Sequence, residues 1–160
     1  MIFRLASQED FLQLYRLYMD PSSNPWLTYD LMSEDNFRII FLDILKSKTL
    51  YVVEIGQELV STYRLIPKTD RQAHTIYLGG FTVSYAHRGN GFGRMVLDHI
   101  KKDAIEQGKK RIELTVDLYN EAAITLYRKF GFEIEGIIKM SYRLSETNIY
   151  FDEYLMALIL

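Results

Sequence analysis

The chain has 160 residues, of which 48% are hydrophobic, and this length suits one soluble domain with a sizeable core. Its formal net charge of −2, with acids and bases interspersed, argues against a general affinity for nucleic acid or for an anionic membrane. The absence of cysteine excludes disulfides, thiolate metal sites and a cysteine nucleophile, and the three histidines lack metal-ligand spacing, so we expect no metal.

The amino-terminal third predicts one short strand followed by two helices. Residues 2–5 form the apolar strand, and Ser7 with Asp10 provides a capping motif for a helix whose apolar residues recur at helical spacing as far as Tyr18. The segment "DPSSNPWLTYD" interrupts this pattern. A second amphipathic helix is predicted to begin after Ser33.

The remainder of the chain alternates strands with helices. "TLYVVEIGQELVSTYRLIP" predicts a hairpin that turns at Gly56 and Gln57, and "TIYLGGFTV" predicts the next strand. We then expect a helix ending at Gly108, the buried strand "RIELTV", a helix capped by Asn120 and ended by Gly131, and two long antiparallel strands. The predicted order is β-α-α-β-β-β-α-β-α-β-β, a mixed α/β fold in a single domain covering residues 1–160.

A cluster of three glycines marks the predicted start of the third helix. Within "SYAHRGNGFGRMVLDHI", Gly89, Gly91 and Gly93 fall in five positions. The dinucleotide fingerprint G-x-G-x-x-G fails because its third glycine is missing, and no G-K-[ST] completes a P-loop. A flexible turn is one reading. The other is a pyrophosphate site, since glycine lets backbone N–H groups approach a ligand at a positively polarised helix start, and Arg88 and Arg94 add charge.

Residues 88–93 match R/Q-x-x-G-x-G/A, and with this motif the chain resembles the GNAT superfamily of acetyl-CoA-dependent N-acetyltransferases. "FTV", "RIELTV" and "NEAAITLYRKFGFEIEG" are similar to successive elements of that superfamily, and N-x-x-A-x-x-L-Y-x-K-x-G-F is a second signature. The similarity is strong from about Leu78 to Gly136. It implies a twisted, mixed, mostly antiparallel central sheet flanked by helices and splayed between strands 4 and 5, with the pantetheine arm inserted there.

The resemblance also implies acetyl-CoA as co-substrate and a set of residues that bind it. An α-helix places Asn120 and Tyr127, seven residues apart, about two turns apart on one side, so both can face one cleft. The implied cofactor-binding residues are Phe81, Thr82, Val83, Arg88, Gly89, Asn90, Gly91, Phe92, Gly93, Arg94, Asn120, Ala123 and Tyr127.

Tyr127 is the predicted catalytic residue, because a tyrosine at this position in GNAT enzymes donates to the sulfur of the departing CoA. An ordinary core aromatic is the alternative. A phenol with a pKa of about 10 cannot favourably protonate a thiolate with a pKa of about 8.5 in free solution. We therefore expect Tyr127 first to stabilise developing negative charge, and to pass its proton only if the site shifts those pKa values.

Glu113 is the second catalytic candidate, as a carboxylate inside the apolar strand "RIELTV". It either reaches the cleft and helps to deprotonate the amine through a water, or forms a buried ion pair with Arg111 or a lysine. No acid or histidine stands in "LGGFTV", so we expect a low-pKa α-amine, of an amino acid or a peptide, to be preferred over lysine or a polyamine.

The acceptor itself is not identified by the sequence. In the superfamily the regions corresponding to Ser22–Asp30 and Lys139–Tyr154 wall the acceptor pocket, although surface loop and edge strand are equally valid readings. Asp152 and Glu153 favour a cationic amine, whereas Arg143 favours a carboxylate.

The resemblance favours an N-acetyltransferase of small-molecule or peptide amines over an acyl-CoA-binding regulatory module without turnover; an unrelated nucleotide-binding protein is a remote third. No apolar run reaches the roughly 18 residues of a spanning helix, and the start of the chain turns polar within six residues, so we expect a cytoplasmic protein. The sequence leaves a homodimer open.

Overall fold

A computed structural model describes residues 1–160 and contains seven strands and four α-helices. Their order confirms the one predicted from the sequence. In chain order they are β1 (Ile2–Leu5), α1 (Phe11–Tyr18), α2 (Glu34–Lys46), β2 (Leu50–Ile55), β3 (Glu58–Pro67), β4 (Thr75–Val83), α3 (Phe92–Glu106), β5 (Arg111–Asp117), α4 (Glu121–Phe130), β6 (Glu133–Arg143) and β7 (Tyr150–Ile159).

Local signals in the sequence set several of these helix boundaries. The Ser33 hydroxyl accepts a hydrogen bond from the Asn36 N–H at the start of α2. Asn120 Oδ1 accepts from the Ala123 N–H, 3.2 Å away, and thereby caps α4. Gly131 ends the same helix with a left-handed φ of 110°, as a C-terminal glycine should. Both ends of α4 therefore follow from short-range chemistry.

The strands hydrogen-bond in the order β1-β2-β3-β4-β5-β7-β6. β1–β2, β2–β3, β5–β7 and β6–β7 are antiparallel, whereas β4 and β5 run parallel. The β4–β5 pairing covers only three residues of each strand and ends where Tyr77 pairs with Glu113. β5 continues to Asp117 along β7. The sheet is thus mixed and mostly antiparallel, and it parts between strands 4 and 5 as expected.

The chain divides into two compact units. The first comprises Met1–Leu65 and Gly80–Asn90, and the second comprises Ile66–Gly79 and Gly91–Leu160. In the first unit, aromatic side chains of α1 and α2 pack together, with the rings of Phe11 and Phe41 centred 5.4 Å apart. The second unit buries residues of α3, β5 and β7, among them Val96, Leu97, Ile112, Leu114 and Met156. The single domain expected from the sequence stays a prediction.

None of the four helices combines the length and the apolar character that crossing a bilayer requires.

Candidate active site

In the first unit, the end of β4 is held by β3 through side-chain and backbone hydrogen bonds. The Ser61 hydroxyl donates to the Thr82 carbonyl at 2.7 Å, and the Ser84 N–H donates to the Val60 carbonyl at 2.8 Å. Gly80 has a φ of 56°, and a Cβ there would lie 3.4 Å from the Tyr18 hydroxyl. The predicted residues Phe81, Thr82 and Val83 therefore follow a kink in β4 that only glycine adopts easily.

The loop after β4 contains the predicted residues Arg88, Gly89 and Asn90. Arg88 directs its guanidinium to protein acceptors: Nε donates to the Val83 carbonyl at 2.8 Å, and a terminal nitrogen donates to the Ser23 hydroxyl at 2.6 Å. Gly89 has a φ of 79°, and an added Cβ would find no atom within 4 Å. This glycine serves the turn itself, and the space beside it is open.

In the second unit, Gly91 occupies the N-cap position of α3. Its φ is 80°, and an added Cβ would again find no atom within 4 Å. The first helical hydrogen bond runs from the Met95 N–H to the Gly91 carbonyl. Helix geometry gives the N–H groups of Gly93 and Arg94, which precede Met95 in the first turn, no acceptor within the helix. This end of α3 therefore combines first-turn donors with open space at Gly91.

Gly93 and Arg94 also have structural roles that the sequence did not reveal. A Cβ on Gly93 would lie 2.9 Å from Leu126 Cδ2, so this glycine allows α3 to approach α4 closely. The Arg94 guanidinium lies over the Phe130 ring, 5.8 Å from its centre. Both residues therefore contribute to packing between α3 and α4, in addition to any contact with a ligand.

Tyr127 lies on α4 with only 6% of its surface exposed, and its ring is centred 5.5 Å from that of Phe132. Burial raises the pKa of the Tyr127 hydroxyl above its ordinary value, and the phenol of Tyr77 raises this pKa further. Tyr77 in turn shares a 2.9 Å hydrogen bond with the Thr115 hydroxyl. The raised pKa makes Tyr127 a weaker acid than an ordinary tyrosine, so it serves as a neutral hydrogen-bond donor.

Asn120 and Ala123 belong to the start of the same helix. The cap described above uses the Asn120 side-chain carbonyl and the Ala123 N–H. Their predicted contact with a cofactor stays a prediction, and the structure adds that both already stabilise the helix that carries Tyr127.

Glu113 forms ion pairs with two cations. Its carboxylate contacts Lys68 Nζ and lies 3.3 Å from Arg111 Nε. Arg111 continues to Glu135, which extends the network to β6. The paired arrangement considered from the sequence is confirmed, with Lys68 as the lysine. Glu113 lies on the same face of β5 as Thr115, two residues further along the chain. Its role as a base stays a prediction.

Asp152 and Glu153 of the hairpin formed by β6 and β7 have partners within that hairpin. Asp152 accepts from Lys139 at 2.8 Å and from the Met140 N–H at 2.9 Å, and Glu153 accepts from the Ser141 hydroxyl. The carboxylates that could attract a cationic acceptor therefore already have partners.

Asp117, which the sequence did not single out, closes β5. It is buried, and it accepts hydrogen bonds from the Tyr142 hydroxyl and the Tyr119 N–H. Burial and the neighbouring Asp117 carboxylate raise the pKa of Tyr142. Tyr142 comes from β6, so only the pairing of the strands could have connected these residues. The sequence did not single out Tyr77 either, because its hydrogen-bond partner Thr115 lies 38 residues away in the chain.

The features of the second unit suit an elongated ligand with an anionic end. A diphosphate could accept from backbone N–H groups at the start of α3, in the space that a Cβ on Gly91 would fill. A buried tyrosine, a neutral hydrogen-bond donor, lies on α4, and β4 and β5 part beyond Tyr77. The residues present therefore fit acetyl-CoA. The structure contains no group of three or more His, Cys, Asp or Glu side chains that could hold a metal.

Comparisons with known proteins agree on one family. The family model described as Acetyltransferase (GNAT) family matches residues 11–132. N-acetyltransferase 8 of Rattus norvegicus is 30% identical over 88 residues, which are 54% of this chain and 40% of that protein. N-alpha-acetyltransferase RimI of Mycobacterium tuberculosis (strain ATCC 25618 / H37Rv) is 31% identical over 96 residues, 60% of this chain and 56% of that protein. The chain spans 39% to 57% of the length of the curated relatives it matches.

Solved structures show the same fold. The ribosomal-protein-alanine N-acetyltransferase from Brucella melitensis superposes with a TM-score of 0.79 at 23% identity, covering 100% of both chains. The spermidine N-acetyltransferase from Vibrio cholerae, in complex with CoA and spermine, superposes with a TM-score of 0.82 at 19% identity, covering 99% of this chain and 94% of that one.

Proposed function

Because this chain belongs to the acetyltransferase (GNAT) family, we propose that it transfers the acetyl group of acetyl-CoA to a primary amine of a small molecule or peptide. Acetyl-CoA supplies an acyl group activated as a thioester. In the proposed ternary complex the amine nitrogen forms the new C–N bond while the C–S bond breaks. The amine loses a proton and the leaving sulfur gains one. The site therefore needs an acceptor for the proton of the amine and a donor for the sulfur.

The uncovered start of α3 is the observation that carries this proposal. Gly91 combines a left-handed φ of 80° with open space where a side chain would stand. We assign the cofactor diphosphate to the backbone N–H groups of residues 89–94. Each charge-assisted contact contributes about 1.5 to 3 kcal/mol, so a few of them hold a diphosphate in water.

Tyr127 is proposed to serve the leaving group. A tyrosine is neutral at neutral pH, and its raised pKa makes complete proton transfer from Tyr127 to a thiolate still less favourable. We therefore assign to Tyr127 Oη a hydrogen bond that stabilises negative charge as it develops on sulfur. The similarity of Asn120, Leu126 and Tyr127 to the second family signature supports this assignment.

The acceptor is proposed to carry an α-amino group, as in an amino acid or a peptide. Deprotonating an alkyl amine with a pKa near 10.4 at pH 7 costs roughly 4 to 5 kcal/mol, whereas an α-amine with a pKa near 8 costs about 1 kcal/mol. Glu113 is the proposed base, acting through a water, and its carboxylate already contacts Lys68 and Arg111. A substrate that needs little help from a base fits this site best.

Charge on the carboxyl-terminal hairpin also supports an α-amine over a polyamine. Asp152 is paired with Lys139, so it offers little net negative charge to a polycation. The similar proteins include both acceptor types by name, an N-alpha-acetyltransferase and a spermidine N-acetyltransferase. Names of relatives therefore do not decide the question, and the pairing of Asp152 with Lys139 favours the α-amine.

A second candidate function is an acyl-CoA-binding regulatory module without turnover. The ion pairs of Glu113 favour it, because they occupy the one carboxylate proposed as a base. A module would bind acetyl-CoA at the start of α3 but would release no CoA in the presence of any amine.

An acceptor screen tests the two functions. Free-thiol release from acetyl-CoA is followed with amino acids, short peptides with free amino termini, and spermidine. CoA and ATP are compared in parallel for their effect on the melting temperature. Thiol release with any amine supports the transferase, and stabilisation by CoA without thiol release supports the module. Stabilisation by ATP and not by CoA contradicts both. A cytoplasmic location and a homodimer stay proposals.

A further inference from the structure

Arg88 connects the loop after β4 to a distant turn in the same unit. Arg88 contacts Val83 and Ser23, as described above. Its other terminal nitrogen donates to the Ser22 carbonyl at 3.1 Å. These serines lie about 65 residues earlier in the chain, between α1 and α2. One side chain therefore joins the predicted diphosphate loop to the turn formed by residues 20–24, here called the serine turn.

The serine turn is ordered by its own hydrogen bonds. The Asp20 carboxylate accepts from the Ser22 N–H at 2.8 Å and from the Ser22 hydroxyl, and these bonds lower the pKa of Asp20. The Asp20 carbonyl accepts from the Ser23 and Asn24 N–H groups at 2.9 and 2.8 Å. Ser23 is only 1% exposed, so its bond to Arg88 is shielded from competing water.

The serine turn also contacts Tyr18, whose hydroxyl lies near β4. The Asn24 side-chain amide donates to the Tyr18 carbonyl at 3.0 Å and to the Tyr29 carbonyl at 2.9 Å. The Tyr18 hydroxyl lies next to Gly80, at the kink in β4. A displacement of the turn would therefore be transmitted to side chains that flank this strand.

We propose that Arg88 is a positioning residue that couples ligand binding at the diphosphate loop to the order of the serine turn. The inference rests on the proposed function, because the ligand is the diphosphate of CoA. When the backbone of residues 89–94 is held by that diphosphate, the guanidinium is held with it, and Ser22 and Ser23 lose freedom. The bound cofactor thus orders the serine turn through the guanidinium of Arg88.

The geometry of the contacts requires arginine. Three separate nitrogen atoms of one planar group reach Val83, Ser22 and Ser23. Lysine keeps the positive charge but provides a single nitrogen, so it cannot make the three contacts together. Arg88→Lys therefore separates the positioning role from simple attraction of a phosphate, which depends on charge alone.

Hydrogen exchange of the serine turn, with CoA as the probe, tests the coupling. In the parent protein, saturating CoA is expected to slow exchange of the Ser23 and Asn24 N–H groups by about fivefold or more, the lower range of allosteric coupling. Ser23→Ala removes one acceptor of Arg88 and lies outside the loop, so CoA affinity should stay within about twofold while most of the slowing is lost. Arg88→Lys should lose the slowing as well.

The double variant gives an independent check. If Arg88 and Ser23 act through each other, combining the two substitutions removes no more of the slowing than either one alone. Arg94→Lys is the matched control, because Arg94 flanks the same glycines but lies over Phe130. It should retain the slowing. With an acceptor from the screen, Ser23→Ala should raise the acceptor KM with little change in kcat.

Each outcome separates this inference from the proposed function. A parent protein that binds CoA without slowed exchange in the serine turn overturns the coupling alone. The coupling is also overturned if CoA slows exchange in the serine turn equally in the parent and in Ser23→Ala. It is overturned as well if Arg94→Lys loses as much of this slowing as Arg88→Lys does. A parent protein that binds no CoA refutes the proposed function and the coupling together.

Discussion

Replacing Gly91 with alanine should weaken acetyl-CoA binding far more than the same change at Gly108, at the other end of α3. Gly91 and Gly108 have φ values of 80° and 72°, and neither has any atom within 4 Å of an added Cβ. An L-residue in this left-handed conformation costs about 1 to 2 kcal/mol. At roughly 2 to 4 °C per kcal/mol for a chain of this size, both variants should melt about 2 to 8 °C lower than the parent.

Binding should distinguish the two glycines. The new methyl at Gly91 stands at the N-cap of α3, where the diphosphate is proposed to lie. Losing one charge-assisted contact, at about 1.5 to 3 kcal/mol, raises the dissociation constant roughly 10-fold to 150-fold. Gly108 lies about 22 Å away along a 15-residue helix. Gly108→Ala should therefore change the dissociation constant for acetyl-CoA by no more than about twofold. Gly91→Val, with a larger side chain, should weaken binding at least about tenfold.

Isothermal titration with acetyl-CoA, alongside thermal melts, measures both effects on the same samples. Similar melting temperatures in the two alanine variants show that the backbone strain is matched. Under that condition, equal affinity for acetyl-CoA in Gly91→Ala and Gly108→Ala would refute diphosphate binding at the start of α3.

Three further predictions concern catalysis. Tyr127→Phe should keep cofactor affinity within a few-fold and lower kcat by roughly 10² or more, and an unchanged kcat would return Tyr127 to a packing role. Because its folded pKa is raised, the Tyr127 proton is fully present below the ordinary value of about 10 and is lost only above it. The pH profile of kcat should therefore show no falling limb from Tyr127 between pH 6 and 9, and a limb there that Tyr127→Phe removes would contradict this. Glu113→Gln should lower the melting temperature, because Lys68 and Arg111 lose a charged partner at about 1 to 3 kcal/mol, and it should alter the pH profile of kcat/KM. An unaltered profile confines Glu113 to the ion pairs. At neutral pH, kcat/KM should favour amino acids or peptide amino termini over spermidine, by up to the roughly 3 to 4 kcal/mol between their deprotonation costs. Faster turnover of spermidine refutes this preference.

Much of the fold was predictable because the signals are local. The caps Ser33 and Asn120 act within three residues of their own positions, and Gly131 ends α4 through its own φ. Periodicity then separates strands from helices without knowledge of their neighbours. These features are encoded within single turns of the chain, so the order of elements could be predicted correctly from the sequence alone.

The partners of charged and polar side chains could not be predicted in the same way. Arg88 was expected to attract phosphate, yet its guanidinium contacts Ser22 and Ser23. Gly93 was expected to serve a ligand, and the structure shows that it also admits Leu126. Such contacts join residues far apart in sequence, and no pattern of spacing carries that information.

The sequence by itself therefore determined the succession of elements, the glycine-rich start of α3 and the identity of Tyr127 as a candidate, because each depends on residues within a few positions of one another. Only the tertiary structure decided that Glu113 forms ion pairs with Lys68 and Arg111, and that burial raises the pKa of Tyr127. The physical reason is that charge and pKa depend on the groups within a few ångströms in space and on exclusion of water, and both arise only when distant segments pack.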